Sequence, residues 1–335
     1  MKHKGVNYDV GFGLGGLVSR PTIDAEVVHR ELEIIKNDLH CNAVRISGRD
    51  IDRLMLAAEE ALKQGLEVWL SPALYDKNDL ETLDYIVECA RAAETLRKQW
   101  PQLVFILGCE LTLFMQGIFE GSNVFERLSN PTIRENMIAG AHNKLLNAFL
   151  AKTNEAVRQV FQGQVTYASV PFEAVDWNVF DFVCLDHYRA TGNKNSYGAQ
   201  LKPYFAHNKP VIITEVGCCT YQGAEDAGGM GWAIIDQTKT PPQRLDGDYV
   251  RDEGLQEREL TDLLGILEDS EVDGTFVFTF VSPPLTYNED PRRDLDMASY
   301  SLVKSYAGKH GVSYPDMTWE PKESFKAVAD YYSKQ

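Results

Sequence analysis

Long apolar runs are missing from this sequence. The longest strand-like run, Phe276–Val281, is far too short for a membrane helix, which needs about 20 apolar residues. Basic residues occur before Gly5, but no apolar segment follows them, so we expect no secretory signal. Low-complexity tracts, linkers and obvious internal repeats are also missing, which predicts an ordinary globular protein.

Metal-binding and disulfide patterns are missing as well. The seven histidines are scattered, and no C-x-x-C, H-x-H or H-E-x-x-H spacing occurs. The six cysteines show no paired spacing, which predicts free thiols in a reducing compartment. We therefore predict no metal, no cofactor and a cytoplasmic location.

Basic residues are few relative to acidic ones, 33 against 49, which gives a net charge of −16. A field of this sign repels phosphate backbones and anionic lipid surfaces. We therefore expect neither nucleic acid nor a membrane as a partner, and we interpret the acidity as a contribution to solubility. The sequence leaves the oligomeric state open.

What the sequence does contain is a regular alternation of short apolar strands and amphipathic helices, which is typical of βα units. The predicted strands are Gly5–Phe12, Asn42–Ser47, Leu66–Ser71, Leu103–Cys109, Val165–Ser169, Phe182–Leu185, Val211–Thr214 and Gly274–Phe280. The predicted helices lie at about 24–39, 50–64, 80–99, 134–161, 254–269 and 322–332. Such units over the whole chain favour one (β/α)₈ TIM barrel domain, residues 1–335, over an open doubly wound sheet.

Two glutamates stand where a barrel of this kind has its active site, at the carboxyl ends of the strands. Glu110 directly follows the fourth predicted strand, and Glu215 follows the seventh. Glycoside cleavage needs one carboxyl group to protonate the leaving oxygen and another to attack the anomeric carbon. The apolar run before Glu110 predicts a raised pKa, while Arg45 and Tyr188 are expected to keep Glu215 ionised. We therefore predict Glu110 as acid/base and Glu215 as nucleophile.

Four segments carry a resemblance to a known superfamily: NAVRI with Arg45, FILGCE with Glu110, FVCLDHY with Tyr188 and VIITEVG with Glu215. Together they resemble the clan A glycoside hydrolases, which are retaining enzymes built on a TIM barrel. The resemblance implies the same roles for the two glutamates, and it implies that Arg45 and Tyr188 position the nucleophile. The order of strands and helices is similar over the whole chain. The similarity of sequence motifs is limited to these four segments.

Two positions depart from the pattern of the clan. Where the clan has an Asn that binds the sugar 2-hydroxyl, this chain has Cys109, and where the clan ends its eighth strand on a Trp platform, this chain has Phe280. The departures are compatible with a divergent enzyme, or with an inactive barrel that binds a glycan or a protein. Residues 215–232 are also similar to uncharacterised proteins labelled as abortive phage infection proteins, which would place the inactive barrel in phage defence.

Further contacts to a carbohydrate substrate are predicted at the barrel mouth, because aromatic rings pack on the C–H faces of sugars. The aromatic candidates are Trp177, Tyr188, Tyr221, Trp232 and Phe280. Adjacent residues in an extended segment point to opposite faces, so His187 is expected to contact the substrate or a loop rather than Asp186. Arg45 and Cys109 complete the predicted substrate-binding set.

Other enzyme classes stay open at two glycine-rich stretches. Residues 11–16 match G-x-G-x-x-G, but Pro21 and its neighbours intervene before any predicted helix, which favours a mouth loop over a dinucleotide site. The stretch 216–250 is glycine-rich, as in phosphate-binding barrels, whereas the end of the eighth strand, VSPPL, offers no matching cradle. A lyase or a phosphate-substrate isomerase is therefore the weaker alternative.

Overall fold

The strands of this protein close into a barrel. The computed structural model describes residues 1–14 and 17–334, without the side chain of Leu14. Its strands are β1 (His3–Asp9), β2 (Gly13–Leu14), β3 (Leu17–Val18), β4 (Ala43–Gly48), β5 (Glu67–Pro72), β6 (Leu103–Cys109), β7 (Gln164–Ser169), β8 (Val183–Asp186), β9 (Val211–Val216), β10 (Gly274–Val277), β11 (Val303–Ser305) and β12 (Trp319–Pro321). Eight of them pair in the order β1–β10–β9–β8–β7–β6–β5–β4, and β4 pairs in parallel with β1. The predicted TIM barrel is confirmed.

Helices connect successive barrel strands and cover the outside of the barrel. They are α1 (Ala25–Asn37), α2 (Ile51–Lys63), α3 (Asp79–Arg97), α4 (Leu111–Phe114), α5 (Val124–Ser129), α6 (Ile133–Ala139), α7 (His142–Arg158), α8 (Lys202–Phe205), α9 (Glu253–Asp269) and α10 (Glu323–Ser333). Asp24 caps α1 by accepting a hydrogen bond from the Glu26 amide at 2.8 Å. Gly65 follows α2 with a φ of +80°, which suits a glycine after a helix end.

Two apolar layers hold the barrel together. The interior cluster consists of Ala43, Trp69, Val104, Ile106, Ala168, Phe182, Cys184, Ile212 and Phe276. A second, larger layer lies between strands and helices, where α1 buries Val28, Leu32 and Ile35. Because side chains fill the interior, the barrel is a packed core, and polar chemistry is left to the rim. Cys109 packs against the interior cluster and marks where that core ends.

The segment after β6 is built differently from the expected single helix over 134–161. It folds as α4, α5 and α6 before α7 begins at His142. Gly140 ends α6 with a φ of +71°, and its amide bonds to the Asn136 carbonyl at 3.1 Å. A glycine in the left-handed region is a common helix terminator, so the periodic pattern is divided at this residue.

The glycine-rich run near the N-terminus forms a hairpin and not a strand–helix junction. Gly13 pairs with Val18 across β2 and β3, while Gly15 and Gly16 of the G-x-G-x-x-G match lie outside the described residues. The first helix starts only at Ala25. A pyrophosphate at this run would therefore find no helix N-terminus beside it.

The six cysteines are free thiols, Cys218 and Cys219 included.

Within residues 1–14 and 17–334, no helix combines the length and the apolar character needed to cross a bilayer.

Candidate active site

Glu215 is held at both of its carboxylate oxygens at the carboxyl end of β9. Arg45, whose side chain points into the barrel from β4, donates from Nη1 to Oε1 at 2.7 Å. The Tyr188 hydroxyl donates to Oε2 at 2.8 Å. Arg45 is fixed in turn by Asn7 Oδ1 at 3.1 Å and Ser71 Oγ at 3.3 Å. These contacts set the orientation of the Glu215 carboxylate before any ligand arrives.

Asp186 and Cys109 lie beside this pair. Asp186 ends β8 with its side chain buried, and its Oδ1 lies 3.7 Å from Arg45 Nη1. The Cys109 thiol donates to Asp186 Oδ2 at 3.1 Å and lies 3.9 Å from Glu215 Oε1. Burial raises the pKa of the Cys109 thiol well above its usual range, so the thiol keeps its proton and acts as a donor.

Glu110 follows β6 directly and begins the short helix α4. Its φ of +47° lies in the left-handed region, which non-glycine residues seldom adopt. The Glu110 amide bonds to the Ala168 carbonyl at 2.9 Å, and its carbonyl accepts from Leu113 and Phe114. Residues held in this region cost about 1–3 kcal/mol and cluster at functional sites. The backbone thus turns sharply where the Glu110 carboxyl enters the cavity.

The pKa values of the three carboxyl groups at the rim are raised, and Arg45 lies next to two of them, Asp186 and Glu215. Burial raises the pKa of Glu110 well above its usual range, and the charges of Asp186 and Glu215 raise it further. Burial also raises the pKa of Glu215 to about 7, with Asp186 adding to the rise and Arg45 opposing it. Burial raises the pKa of Asp186, against the attraction of Arg45. The Glu215 carboxyl therefore changes its protonation near neutral pH rather than near pH 4.

These residues line one cavity of about 590 Å³ at the barrel mouth, together with side chains from the loops after β6 and β9.

No protein-family model matches the chain, and no curated protein matches it. Solved structures do share its architecture. A GH113 β-1,4-mannanase is 14% identical over 100% of this chain and 99% of its own, with a TM-score of 0.63. The GH113 β-mannanase AaManA from Alicyclobacillus acidocaldarius, in complex with ManMIm, is 16% identical over 99% of this chain and 97% of its own, with a TM-score of 0.61.

A family 1 β-glucosidase from Thermotoga maritima is 12% identical over 98% of this chain and 97% of its own, with a TM-score of 0.56. The chain has the fold of the clan A glycoside hydrolases. The likeness is one of fold, because identity is 12–16% in these three comparisons. The similarity of residues 215–232 to proteins labelled as abortive phage infection proteins stays a prediction.

On this clan A fold, part of the predicted site set comes together. The predicted residues that line the cavity are Arg45, Cys109, Glu110, Tyr188, Glu215 and Trp232. Arg45, Cys109 and Tyr188 contact Glu215 as described above, while Trp232 lines the cavity from the loop after β9. The ring of Trp232 meets Phe125 edge-on, with centroids 5.9 Å apart, so the loop after β9 touches the loop after β6.

The other predicted residues lie outside the cavity lining, in surroundings of their own. His187 points away from the face of the strand that Asp186 and Tyr188 share. Its ring stacks on the Tyr197 ring, with centroids 4.2 Å apart, and its Nε2 is hydrogen-bonded to the Tyr197 carbonyl. Trp177 lies in the segment that returns to the amino ends of the strands, where its carbonyl accepts from Lys209.

Tyr221 and Phe280 also lie outside the lining. The Tyr221 hydroxyl donates to the Gly231 carbonyl at 3.1 Å and its ring is buried in the loop after β9. Phe280 lies beyond the end of β10 and packs against Trp319, with ring centroids 5.4 Å apart. Phe278, two residues earlier, lines the cavity in its place.

Sequence reasoning did not select several residues that line the cavity: Asp9, Tyr75, Asp186, Phe278 and Tyr300. The sequence did contain a signal for Asp9 and Asp186, because each is the last residue of a barrel strand. Glu215 has a similar position, one residue before the end of its strand. Tyr75 and Tyr300 come from loops, and no periodic pattern fixes the direction of such side chains. The Tyr300 ring contacts the Tyr188 ring edge-on, with centroids 5.5 Å apart. This contact supports Tyr188, whose hydroxyl donates to Glu215.

One group of metal-type donor atoms occurs here among the described residues. Cys109 Sγ and carboxylate oxygens of Glu110 and Asp186 all lie within 4.8 Å of one another. The guanidinium of Arg45 is 3.7 Å from Asp186, and its charge opposes a cation at this place. The donor set therefore suits proton sharing better than metal binding.

Proposed function

We propose that this protein is a retaining glycoside hydrolase in which Glu215 is the nucleophile and Glu110 the acid/base. One observation carries the proposal. The Glu215 carboxylate is fixed by Arg45 at 2.7 Å and Tyr188 at 2.8 Å, and Glu110, a second half-buried carboxyl, lies beside the same Cys109 thiol. Glycosidases need such a pair of carboxyl groups with different protonation states.

In the proposed reaction the two carboxyl groups have different roles. Glu215 attacks the anomeric carbon while Glu110 gives its proton to the leaving oxygen, which forms a glycosyl–enzyme ester and breaks the glycosidic bond. Water, deprotonated by Glu110, then attacks the anomeric carbon and releases the sugar with its original configuration. Arg45 and Tyr188 hold the carboxylate for attack and receive its charge again when it leaves.

The pKa directions fit these assignments. Glu110 has the more strongly raised pKa and supplies a proton, whereas Glu215, with a pKa of about 7, has the hydrogen bonds that favour its ionised form. Activity requires Glu215 ionised and Glu110 protonated. We therefore expect a bell-shaped pH profile of kcat/KM whose acidic limb lies near neutral pH.

The direct test is hydrolysis of a panel of aryl β-glycosides that includes β-mannosides, β-glucosides and β-glucuronides. The neighbouring structures are a β-mannanase and a β-glucosidase, which is why β-linked sugars come first. We expect turnover of at least one member, with retention of anomeric configuration seen by NMR at early time points. Inversion would exclude the double displacement, and a panel without turnover would favour the binding barrel.

Replacing Tyr188 with phenylalanine is expected to lower kcat/KM about 10- to 100-fold. The change removes the hydroxyl that donates to Glu215 Oε2 at 2.8 Å, and a hydrogen bond to a charged group contributes about 1.5–3 kcal/mol. Steady-state kinetics on the best aryl glycoside measures the effect. Tyr221→Phe is the matched control, because its hydroxyl bonds to a backbone carbonyl outside the cavity. Equal losses in both variants would contradict the role of Tyr188.

Replacing Asp186 with asparagine is expected to move the acidic limb of the kcat/KM profile to lower pH. Asp186 is a negative neighbour that raises the pKa of Glu215, so its removal lets Glu215 ionise at lower pH. Cys109→Ser serves as the control, since it keeps a donor toward Asp186 and changes no carboxylate charge. A limb that stays in place in Asp186→Asn, or moves upward, would show that Asp186 does not act on the nucleophile.

A further inference from the structure

The charged groups that line the cavity, Asp9 among them, are gathered at the carboxyl ends of the barrel strands, which form its floor. Arg45, Asp186 and Glu215 all belong to barrel strands, and Cys109 and Glu110 stand at the end of another. The hydroxyls of a sugar ring need hydrogen-bond partners once they leave water. The floor, where these partners and the nucleophile are found, is therefore the place for one sugar ring.

One wall above the floor is apolar. The loop between β6 and α7 supplies Leu113, Phe114, Phe125, Leu128 and Met137 to the lining. These side chains also pack on a small apolar cluster with Phe119 and Val124, which fixes the wall in place. The charged residues Glu126 and Arg134 of the same loop do not line the cavity. The wall thus offers dispersion contacts and almost no hydrogen bonds.

The loop after β9 continues this apolar surface at the mouth. Trp232 contacts Phe125, with ring centroids 5.9 Å apart. Met230, two residues before Trp232, also lines the cavity, and 49% of it is exposed. Met230 and Trp232 therefore extend the apolar lining from Phe125 to the rim of the cavity.

We propose that the substrate is a single sugar joined through oxygen to an apolar alkyl or aryl aglycone, which lies against this wall. The inference rests on the proposed glycosidase function. A cavity of about 590 Å³ with apolar walls and a few converging polar groups is typical of small-molecule sites. The hydroxyls of a second sugar would find no hydrogen-bond partner on the side chains of Phe125, Leu128 and Met137, whereas an alkyl or aryl group needs none.

The reaction balances with groups that are present. Glu215 forms a bond to the anomeric carbon as the bond to the aglycone oxygen breaks, and the Glu110 proton passes to that oxygen. The aglycone leaves as an alcohol or a phenol. Water then adds its oxygen to the anomeric carbon, returns a proton to Glu110 and frees the Glu215 carboxylate.

The test compares methyl, butyl and hexyl β-glycosides of the sugar selected by the aryl panel, with the matching disaccharide. Simple alcohols are similar leaving groups, so the ratio of kcat/KM values reports aglycone binding in the transition state. We expect kcat/KM to rise about fourfold for each methylene that the wall buries, and to be higher for the hexyl glycoside than for the disaccharide. A flat series, or preference for the disaccharide, would overturn the inference.

Two variants locate the effect. Met230→Gln is expected to lower the hexyl-to-methyl ratio several-fold, because it replaces an apolar side chain of the mouth with a polar one of similar length. Ile138→Gln is the matched control, since Ile138 is 79% exposed on the same loop as Met137 but does not line the cavity. An unchanged ratio in Met230→Gln, or an equal fall in Ile138→Gln, would remove the assignment to this wall.

A binding measurement separates failure of this inference from failure of the proposed function. Hexyl and methyl 1-thio-β-glycosides of glucose, mannose, galactose and glucuronic acid resist hydrolysis, and calorimetry gives their affinities. Hydrolysis of the oxygen glycosides without dependence on chain length overturns the aglycone inference alone. If nothing is hydrolysed, the glycosidase proposal fails, and tighter binding of a hexyl than a methyl probe still supports the ligand class, whereas equal affinities or no binding overturn it.

Discussion

Replacing Glu215 with alanine is expected to lower kcat/KM on aryl glycosides about 10⁴-fold or more, the scale seen when one member of a nucleophilic unit is removed. No other carboxylate is held toward the cavity by both Arg45 and Tyr188 among the described residues. Without it, the first displacement has no nucleophile. Steady-state kinetics on the best aryl glycoside, compared with wild type, measures the loss.

Folding must be separated from chemistry in this experiment, because Glu215 is the closest charge partner of a buried arginine. Removing one partner of a buried pair costs about 3–5 kcal/mol. Glu215→Gln keeps the volume and an oxygen acceptor for Arg45, so we expect it to melt close to the wild type and still to be inactive. An active Glu215→Gln variant would exclude the carboxylate as nucleophile.

Chemical rescue sharpens the result. Azide can enter the space left in Glu215→Ala and attack the anomeric carbon directly, so we expect partial recovery with a glycosyl azide of inverted configuration. Glu225→Ala is the control, since Glu225 lies in the loop after β9 and does not line the cavity. Loss of activity in that variant, or a lack of rescue with an intact fold, would argue against the assignment of Glu215.

Replacing Glu110 with alanine is expected to lower kcat/KM about 10²- to 10⁴-fold on glycosides with poor leaving groups, the usual contribution of general acid catalysis. The effect should nearly vanish with 2,4-dinitrophenyl glycosides, which leave without protonation. The contrast between the two leaving groups is the measurement. Glu120→Ala, an exposed glutamate of the same loop outside the cavity lining, is the control.

The pH profile gives a second, independent readout for Glu110. Its pKa is raised by burial and by neighbouring negative charges, so the acid form persists to higher pH than that of an ordinary glutamate. Activity in the wild type should therefore fall as pH rises through the Glu110 pKa, while the acidic limb reports ionisation of Glu215 near pH 7. In Glu110→Ala the alkaline limb should disappear. An alkaline limb that persists unchanged would assign the acid to another group.

The fold could be predicted because the alternation of apolar strands and amphipathic helices is a local property of the sequence. Each parallel strand is buried on both faces and reads as a short apolar run, and each helix shows its buried face by its spacing. The error at 134–161 also has a local cause. The periodic pattern continues through Gly140, whereas the backbone there has a φ of +71° and ends α6.

The candidate site could be predicted only where a strand fixed the direction of a side chain. Glu215 and Arg45 lie on strands, Glu110 follows one directly, and the barrel brings all of them to one rim. His187 shows the limit of the method, because it stands between Asp186 and Tyr188 and turns to Tyr197. The alternation rule placed it opposite to Asp186, but the chain alone did not show what lies on that side.

The sequence by itself determined the barrel, its rim and the two glutamates on it, because strand ends and apolar periodicity are written in consecutive residues. Only the tertiary structure decided that the Cys109 thiol lies against both Asp186 and Glu215, and that Phe278 rather than Phe280 faces the cavity. It also decided that the loops after β6 and β9 meet over the mouth through Phe125 and Trp232. These contacts join residues far apart in the chain, and the packing of irregular loops, which has no sequence period, sets them.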